Sequence, residues 1–224
     1  MTNSEKDFKK FAISMGIGSN LVDSYSKEQI KSAYLNPTIL EERQLNVSQM
    51  DIFSRLQMDR ILFLGTEVNA DVANILTAQM LWLEQQSDRD ISLYVNSPGG
   101  CVYDGYQIID TMNFIGAEVS TTCLGMAASM GAVIFSSGAK GKRYIIPHGR
   151  FMIHQPIGGT GRSQASDITI VAKEINLLKE ELYGILSDNS NLSYDEIYKL
   201  ADRDCWMTSE ETIKYGFADK IIGK

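Results

Sequence analysis

Few side chains in this sequence are placed to do nucleophilic chemistry. Ser129 lies within Gly-Met-Ala-Ala-Ser-Met-Gly-Ala at 125–132, where Ala127, Ala128, Gly131 and Ala132 leave its hydroxyl almost unobstructed. An apolar strand pattern precedes it at 119–123, and an apolar helical pattern follows at 133–135. A serine opening a helix stands beside backbone N–H groups that lack intrahelical acceptors and that point at any developing negative charge. An N-cap or a small packing residue has the same surroundings, so the serine alone decides nothing. A base must come from His148 or His154, the two histidines of the chain. His148 sits in a Pro-His-Gly-Arg turn and reads as an exposed loop residue. His154 ends the apolar run 151–153 beside a glycine-rich loop, at the strand end where α/β domains present functional groups. A hydrogen-bonded structural histidine fits that place equally well. Asp202-Arg203-Asp204 has the look of a solvated surface. Its flanks, Leu200 and Cys205-Trp206-Met207, also suit a carboxylate held near apolar bulk to orient a histidine. Ser97-Pro98-Gly99-Gly100 closes another strand, as a plain turn or as backbone bare enough to approach a ligand.

Other chemistries fail on spacing. The Gly138 to Arg143 stretch is no phosphate loop, because Ser136 stands where the first glycine is needed and Arg143 where a Ser or Thr would hold magnesium. No ATP site is expected, and no His, Asp or Glu cluster has metal-ligand spacing. A net charge of −7 counts against nucleic acid or an anionic membrane as the main partner. No apolar run approaches the ~20 residues of a membrane span. Cys101, Cys123 and Cys205 are odd in number and lack CxxC spacing, which argues against a disulfide framework and for a reducing cytoplasm. The first 16 residues lack the unbroken apolar core of a secretory signal.

The elements that must position these residues alternate. Residues 61–64, 91–95, 119–123, 144–146 and 151–153 read as strands. Between them, Val72, Ile75, Leu76, Met80 and Leu83 form one helical face, and Ile108, Ile109 and Met112 another. Such repetition predicts an α/β domain with largely parallel strands. A short helix from Ser48 is expected to turn Ile52, Phe53 and Leu56 inward. A long helix over about 163–187 carries Ile168, Val171, Ile175, Leu178, Leu182 and Ile185 in a narrow seam, as on a helix that packs against another helix. Capping boxes at Ser193/Glu196 and Thr208/Glu211 start two short helices, and Gly216 precedes a terminal strand at 217–222. Residues 1–34 read as an extension or possible propeptide, with helical spacing at Phe8, Phe11, Ala12 and Met15 and a capping box at Ser26/Gln29. Asn36-Pro37 marks the boundary to a main domain over 35–224.

Taken together, NSPGG at 96–100, GMAASMGA at 125–132, GKRY at 141–144, MIHQP at 152–156 and DRD at 202–204 resemble the ClpP family, the proteolytic subunits of ATP-dependent Clp proteases. The similarity runs in order from about residue 37 to the end. It implies a crotonase-like α/β fold, a spiral of strand–helix units with a projecting helical handle, and serine endopeptidase activity on unfolded polypeptides inside a barrel of two stacked heptameric rings. Carried over, it makes Ser129 the nucleophile, His154 the general base and Asp204 its orienting carboxylate. Gly100 and Met130 match the oxyanion hole, Val102 and Ile157 the substrate groove, and Asp202 and Arg203 the ring-to-ring contact. A separate AAA+ unfoldase would use ATP, with no cofactor in this chain. The loop at 158–164 is a residue longer than the family pattern and carries Arg162. A catalytically silent ring subunit and a crotonase-type acyl-CoA enzyme are the rival expectations.

Overall fold

In this computed structural model the structure describes residues 38–43 and 46–223. The helical spacing and capping box expected within 1–34 lie outside the described residues. The chain forms two compact units, Met1–Met58 and Asp59–Lys224.

In the first unit, β1 (Thr38–Arg43) pairs antiparallel with β2 (Asn46–Asp51), and α1 (Ile52–Met58) follows. Ser48 therefore belongs to a strand. The helix begins later than expected because Asp51 caps it, accepting the N–H groups of Phe53 and Ser54 at 3.0 Å each. None of its residues is buried, and Phe53 is 41 % exposed, so the inward face expected for Ile52, Phe53 and Leu56 is absent.

The second unit is built on parallel strands in the order β3 (Ile61–Leu64), β4 (Ile91–Ser97), β5 (Val119–Ala128), β6 (Arg143–Ile145) and β9 (Lys220–Ile221). Two strands leave this path: β7 (Arg150–Ile153) pairs parallel with β5, and β8 (Cys205–Met207) pairs antiparallel with β7. The ten-residue β5 thus serves two partners. Its residues Thr121, Thr122 and Cys123 pair with β6, whereas Met126, Ala127 and Ala128 pair with β7. The handover is a bend where the β4 register also shifts, between Val95 and Ser97. Asn96 fills that bend, its Oδ1 accepting the Met126 N–H at 3.1 Å. A Cβ on Gly125 would lie 2.5 Å from the same oxygen, so glycine is what lets the side chain in.

Helices α2 (Ala70–Gln86) and α3 (Val102–Phe114) cover the sheet through Leu76, Met80 and Leu83 and through Ile108, Ile109 and Met112, all buried. Ile75 departs from the predicted face and is 58 % exposed. All seven residues of α4 (Met130–Ser136) are buried. Helix α5 (Ala165–Asp188) buries only Leu182, Tyr183 and Leu186, near its C-terminal end, while Ile168 stays 48 % exposed. Both predicted capping boxes form, at α6 (Tyr194–Leu200) and α7 (Ser209–Lys214). The terminal strand is shorter than expected: the Phe217 and Ala218 N–H groups donate to the Thr212 carbonyl at 3.0 and 3.4 Å, and the Phe217 ring stacks on Phe151 at 4.7 Å between ring centres.

The GKRY segment is a structural clamp. Arg143 reaches Asp219 through Nη2 at 2.7 Å and Nε at 3.0 Å, and Asp219 also accepts the N–H groups of Gly141 and Arg143. Burial works to raise the Asp219 carboxyl, but the hydrogen bonds from Arg143 outweigh it and hold it below the usual carboxylate range. Among the described residues, no helix is long and apolar enough to cross a membrane.

Candidate active site

Sheet register brings three polar side chains to one place. Ala128, the last residue of β5, pairs with Met152 of β7, so Ser129 emerges beside the strand that ends at Ile153. Ile153 in turn pairs antiparallel with Cys205, which sets His154, one step beyond, against Asp204, one step before. His154 Nε2 lies 2.8 Å from Ser129 Oγ, and Nδ1 lies 3.2 Å from Asp204 Oδ1. Gln155 adds a tie by donating from Nε2 to the Asp202 carbonyl at 3.0 Å. The His154 side chain is 16 % exposed. Asp204 is 64 % exposed. The strand alternation of β8 sends Met207 into the core and leaves Trp206 outside.

Ser129 connects β5 to α4 with φ 54° and ψ −126°, a region that L-residues rarely occupy. Such a backbone costs of order 1–3 kcal/mol and persists only where its neighbours over-determine it. Here they do: the Ser129 N–H donates to the Met152 carbonyl at 2.9 Å, and its carbonyl accepts the Ala132 N–H at 2.9 Å. The sharp strand-to-helix turn pushes the hydroxyl out of the sheet.

The Ser-Pro-Gly-Gly loop packs directly on this turn. A Cβ on Gly99 would fall 2.6 Å from Ser129 Cβ, and one on Gly100 2.1 Å from the Val68 carbonyl oxygen. The Ser97 hydroxyl fixes the loop, donating to the Thr66 carbonyl at 2.6 Å and accepting the Gly99 N–H at 3.1 Å. Val68 donates its N–H to Gly99 O at 2.8 Å and accepts the Cys101 N–H at 2.9 Å. In this parallel bridge the Gly100 N–H is turned away from Val68. The Met130 N–H opens α4, where no intrahelical acceptor exists.

Gly100, Val102, Ser129, Met130, His154 and Ile157 all line one cleft of about 300 Å³. Ile157 forms its rim and is 85 % exposed. Asp202 and Arg203 are exposed and do not line the cleft. His148 is likewise exposed and outside it. Asn96 and Val68 carry the geometry too, without any sign of it in the sequence, and the Ser97 side chain adds a role beyond the bare backbone expected of its segment. Asn and Ser before Pro-Gly-Gly signal a turn, and nothing in a sequence ties Val68 to Gly100. Among the described residues, no group of three or more His, Cys, Asp and Glu is arranged to hold a metal ion. All three cysteines are free thiols, and burial pushes the Cys123 thiol up to about 12.

A hydroxyl, an imidazole and a carboxylate in series, at a strained strand-to-helix turn, form the arrangement of a serine hydrolase. The Clp protease family model matches residues 43–224, and the chain belongs to that family of serine-type endopeptidases with a crotonase-like fold. It is 52 % identical over 220 residues to the ATP-dependent Clp protease proteolytic subunit of Porphyromonas gingivalis, covering 97 % of this chain and 98 % of the relative. The subunit of Bacteroides fragilis is 53 % identical, with 97 % and 99 % covered. That of Lactococcus lactis subsp. lactis is 49 % identical, with 84 % and 96 % covered. This is the family that the five motifs resemble, and the comparisons favour neither rival expectation.

Proposed function

We propose that Ser129 is the nucleophile, His154 the general base and Asp204 the carboxylate that orients it. The observation that carries this reading is the series on the two ring nitrogens of His154: a hydrogen bond to Ser129 Oγ at 2.8 Å and a 3.2 Å contact with Asp204 Oδ1. His154 Nε2 takes the Ser129 proton as Oγ attacks a peptide carbonyl, and Asp204 stabilises the resulting imidazolium through Nδ1–H. The N–H groups of Gly100 and Met130 stabilise the oxyanion, being pre-aimed and free of ladder and helix bonds. The proton then passes to the leaving amine, and water, deprotonated by His154, hydrolyses the acyl-enzyme. Val102 and Ile157 flank the groove that receives an extended peptide by strand addition.

The main domain covers 35–224, with 1–34 as an extension or propeptide. The subunit assembles with copies of itself into two stacked heptameric rings, in which α5 is the handle and Asp202 and Arg203 pair across the ring contact. Supporting this, Ile168, Ile170 and Leu177 are exposed apolar side chains on α5. A Clp AAA+ unfoldase feeds unfolded proteins to the chamber and uses the ATP; this chain needs no cofactor and works in the cytoplasm, away from nucleic acid and membrane. The test is labelling by a phosphonyl fluoride followed by peptide mapping. Modification of Ser129 alone is expected; modification elsewhere, or none with the assembled protein, overturns the assignment.

A further inference from the structure

The cleft around Ser129 is walled mainly by apolar side chains such as Val102, Met130, Ile153 and Leu182. Glu67 lines it too, as the one carboxylate among its described lining residues, and no Lys or Arg joins it there. No hydrogen bond or ion pair engages the Glu67 side chain among the described residues. Its backbone is nevertheless pinned on both sides. The preceding carbonyl, of Thr66, accepts from the Ser97 hydroxyl at 2.6 Å, and the following residue, Val68, bonds Gly99 and Cys101. Glu67 is thus held at a fixed station alongside Gly99 and Gly100, and its charge is not spent on the protein itself.

From this we infer that Glu67 sets charge specificity, making the cleft favour lysine or arginine and disfavour aspartate or glutamate at a residue flanking the scissile bond. A long basic side chain suits both features of the site. Its aliphatic stem packs on the apolar walls while its cationic head reaches the rim carboxylate. An acidic side chain meets like charge there without a compensating donor, which is discrimination by repulsion as well as attraction. The inference rests on the peptidase reading proposed above.

The test uses the assembled full chain and quenched fluorescent peptides that differ only at P1 or only at P1′, each carrying Lys, Leu or Glu. Ratios of kcat/KM between peptides are compared within each enzyme preparation, which cancels differences in folding or assembly. At one of the two positions the wild type is expected to prefer Lys over Glu by about tenfold, about 1.4 kcal/mol. The preference should shrink at high salt, which screens an exposed charge. Glu67→Gln should collapse the ratio toward unity, Glu67→Asp should keep most of it, and Glu67→Lys should invert it. A wild-type Lys:Glu ratio near one at both positions overturns the inference without any variant. So does a tenfold preference that survives in Glu67→Gln. If the wild type cleaves none of the peptides, the leucine ones included, and Ser129 resists labelling, the peptidase reading itself falls.

Discussion

Gly99→Ala tests the claim that the Ser-Pro-Gly-Gly loop holds the nucleophile in place. The added Cβ would lie 2.6 Å from Ser129 Cβ, 2.7 Å from the Ala128 carbonyl oxygen and 2.8 Å from the Met130 nitrogen. Carbon atoms at rest sit about 3.5–4.0 Å apart, so Ser129 or the loop must give way by roughly 1 Å. None of the three neighbours is the far end of a flexible side chain. A displacement of about 1 Å at a catalytic group costs on the order of 10²-fold in rate. Gly99 also has φ +93°, which an alanine adopts only with strain of about 1–3 kcal/mol. The expected variant is therefore folded but less stable, with kcat/KM down by about 10²-fold and phosphonyl fluoride labelling of Ser129 slowed in parallel. Gly65→Ala is the control, since a Cβ there meets nothing within 4 Å. Both variants are to be measured by peptide hydrolysis, labelling rate and thermal melting on the same preparations. Gly99→Ala with wild-type melting and activity within threefold of wild type would refute the reasoning.

Ser129→Ala should remove peptide cleavage by up to about 10⁶-fold in kcat, and activity near wild type in that variant would end the nucleophile assignment. Asp219→Asn, which strips the buried Arg143 of its half-buried partner, should cost roughly 3 kcal/mol in urea unfolding at pH 7. Because the folded Asp219 carboxyl is held low, its contribution is full above the ordinary carboxylate value. The gap between wild type and Asp219→Asn should therefore narrow as pH falls below about 4; a constant gap down to pH 2 would contradict the depressed value. Arg203→Ala should give single rings with reduced peptidase activity, because Asp204 adjoins the proposed contact. Sedimentation paired with hydrolysis of a short peptide decides this: intact double rings at full activity would remove Arg203 from the contact, and single rings at full activity would show that the triad stands alone.

The elements and the chemical groups were legible along the chain. Burial repeats with the period of a helix or strand, so Leu76, Met80 and Leu83 announced their face, and Ser193/Glu196 and Thr208/Glu211 announced helix starts through local hydrogen bonds. The motifs around Ser129, His154 and Asp204 were equally legible, because small residues beside a hydroxyl or a strand-end histidine are local features. Local patterns misled where coverage by a distant element decides: Ile75 carries the right spacing yet is 58 % exposed. The tertiary structure alone decided that Ser129 meets a histidine 25 positions away, since that follows from Ala128 pairing with Met152, and Ile153 pairing with Cys205. It also decided the positive φ of Ser129 and the need for glycine at 99. Both come from one chain segment pressing on another, and a contact between segments has no period to read.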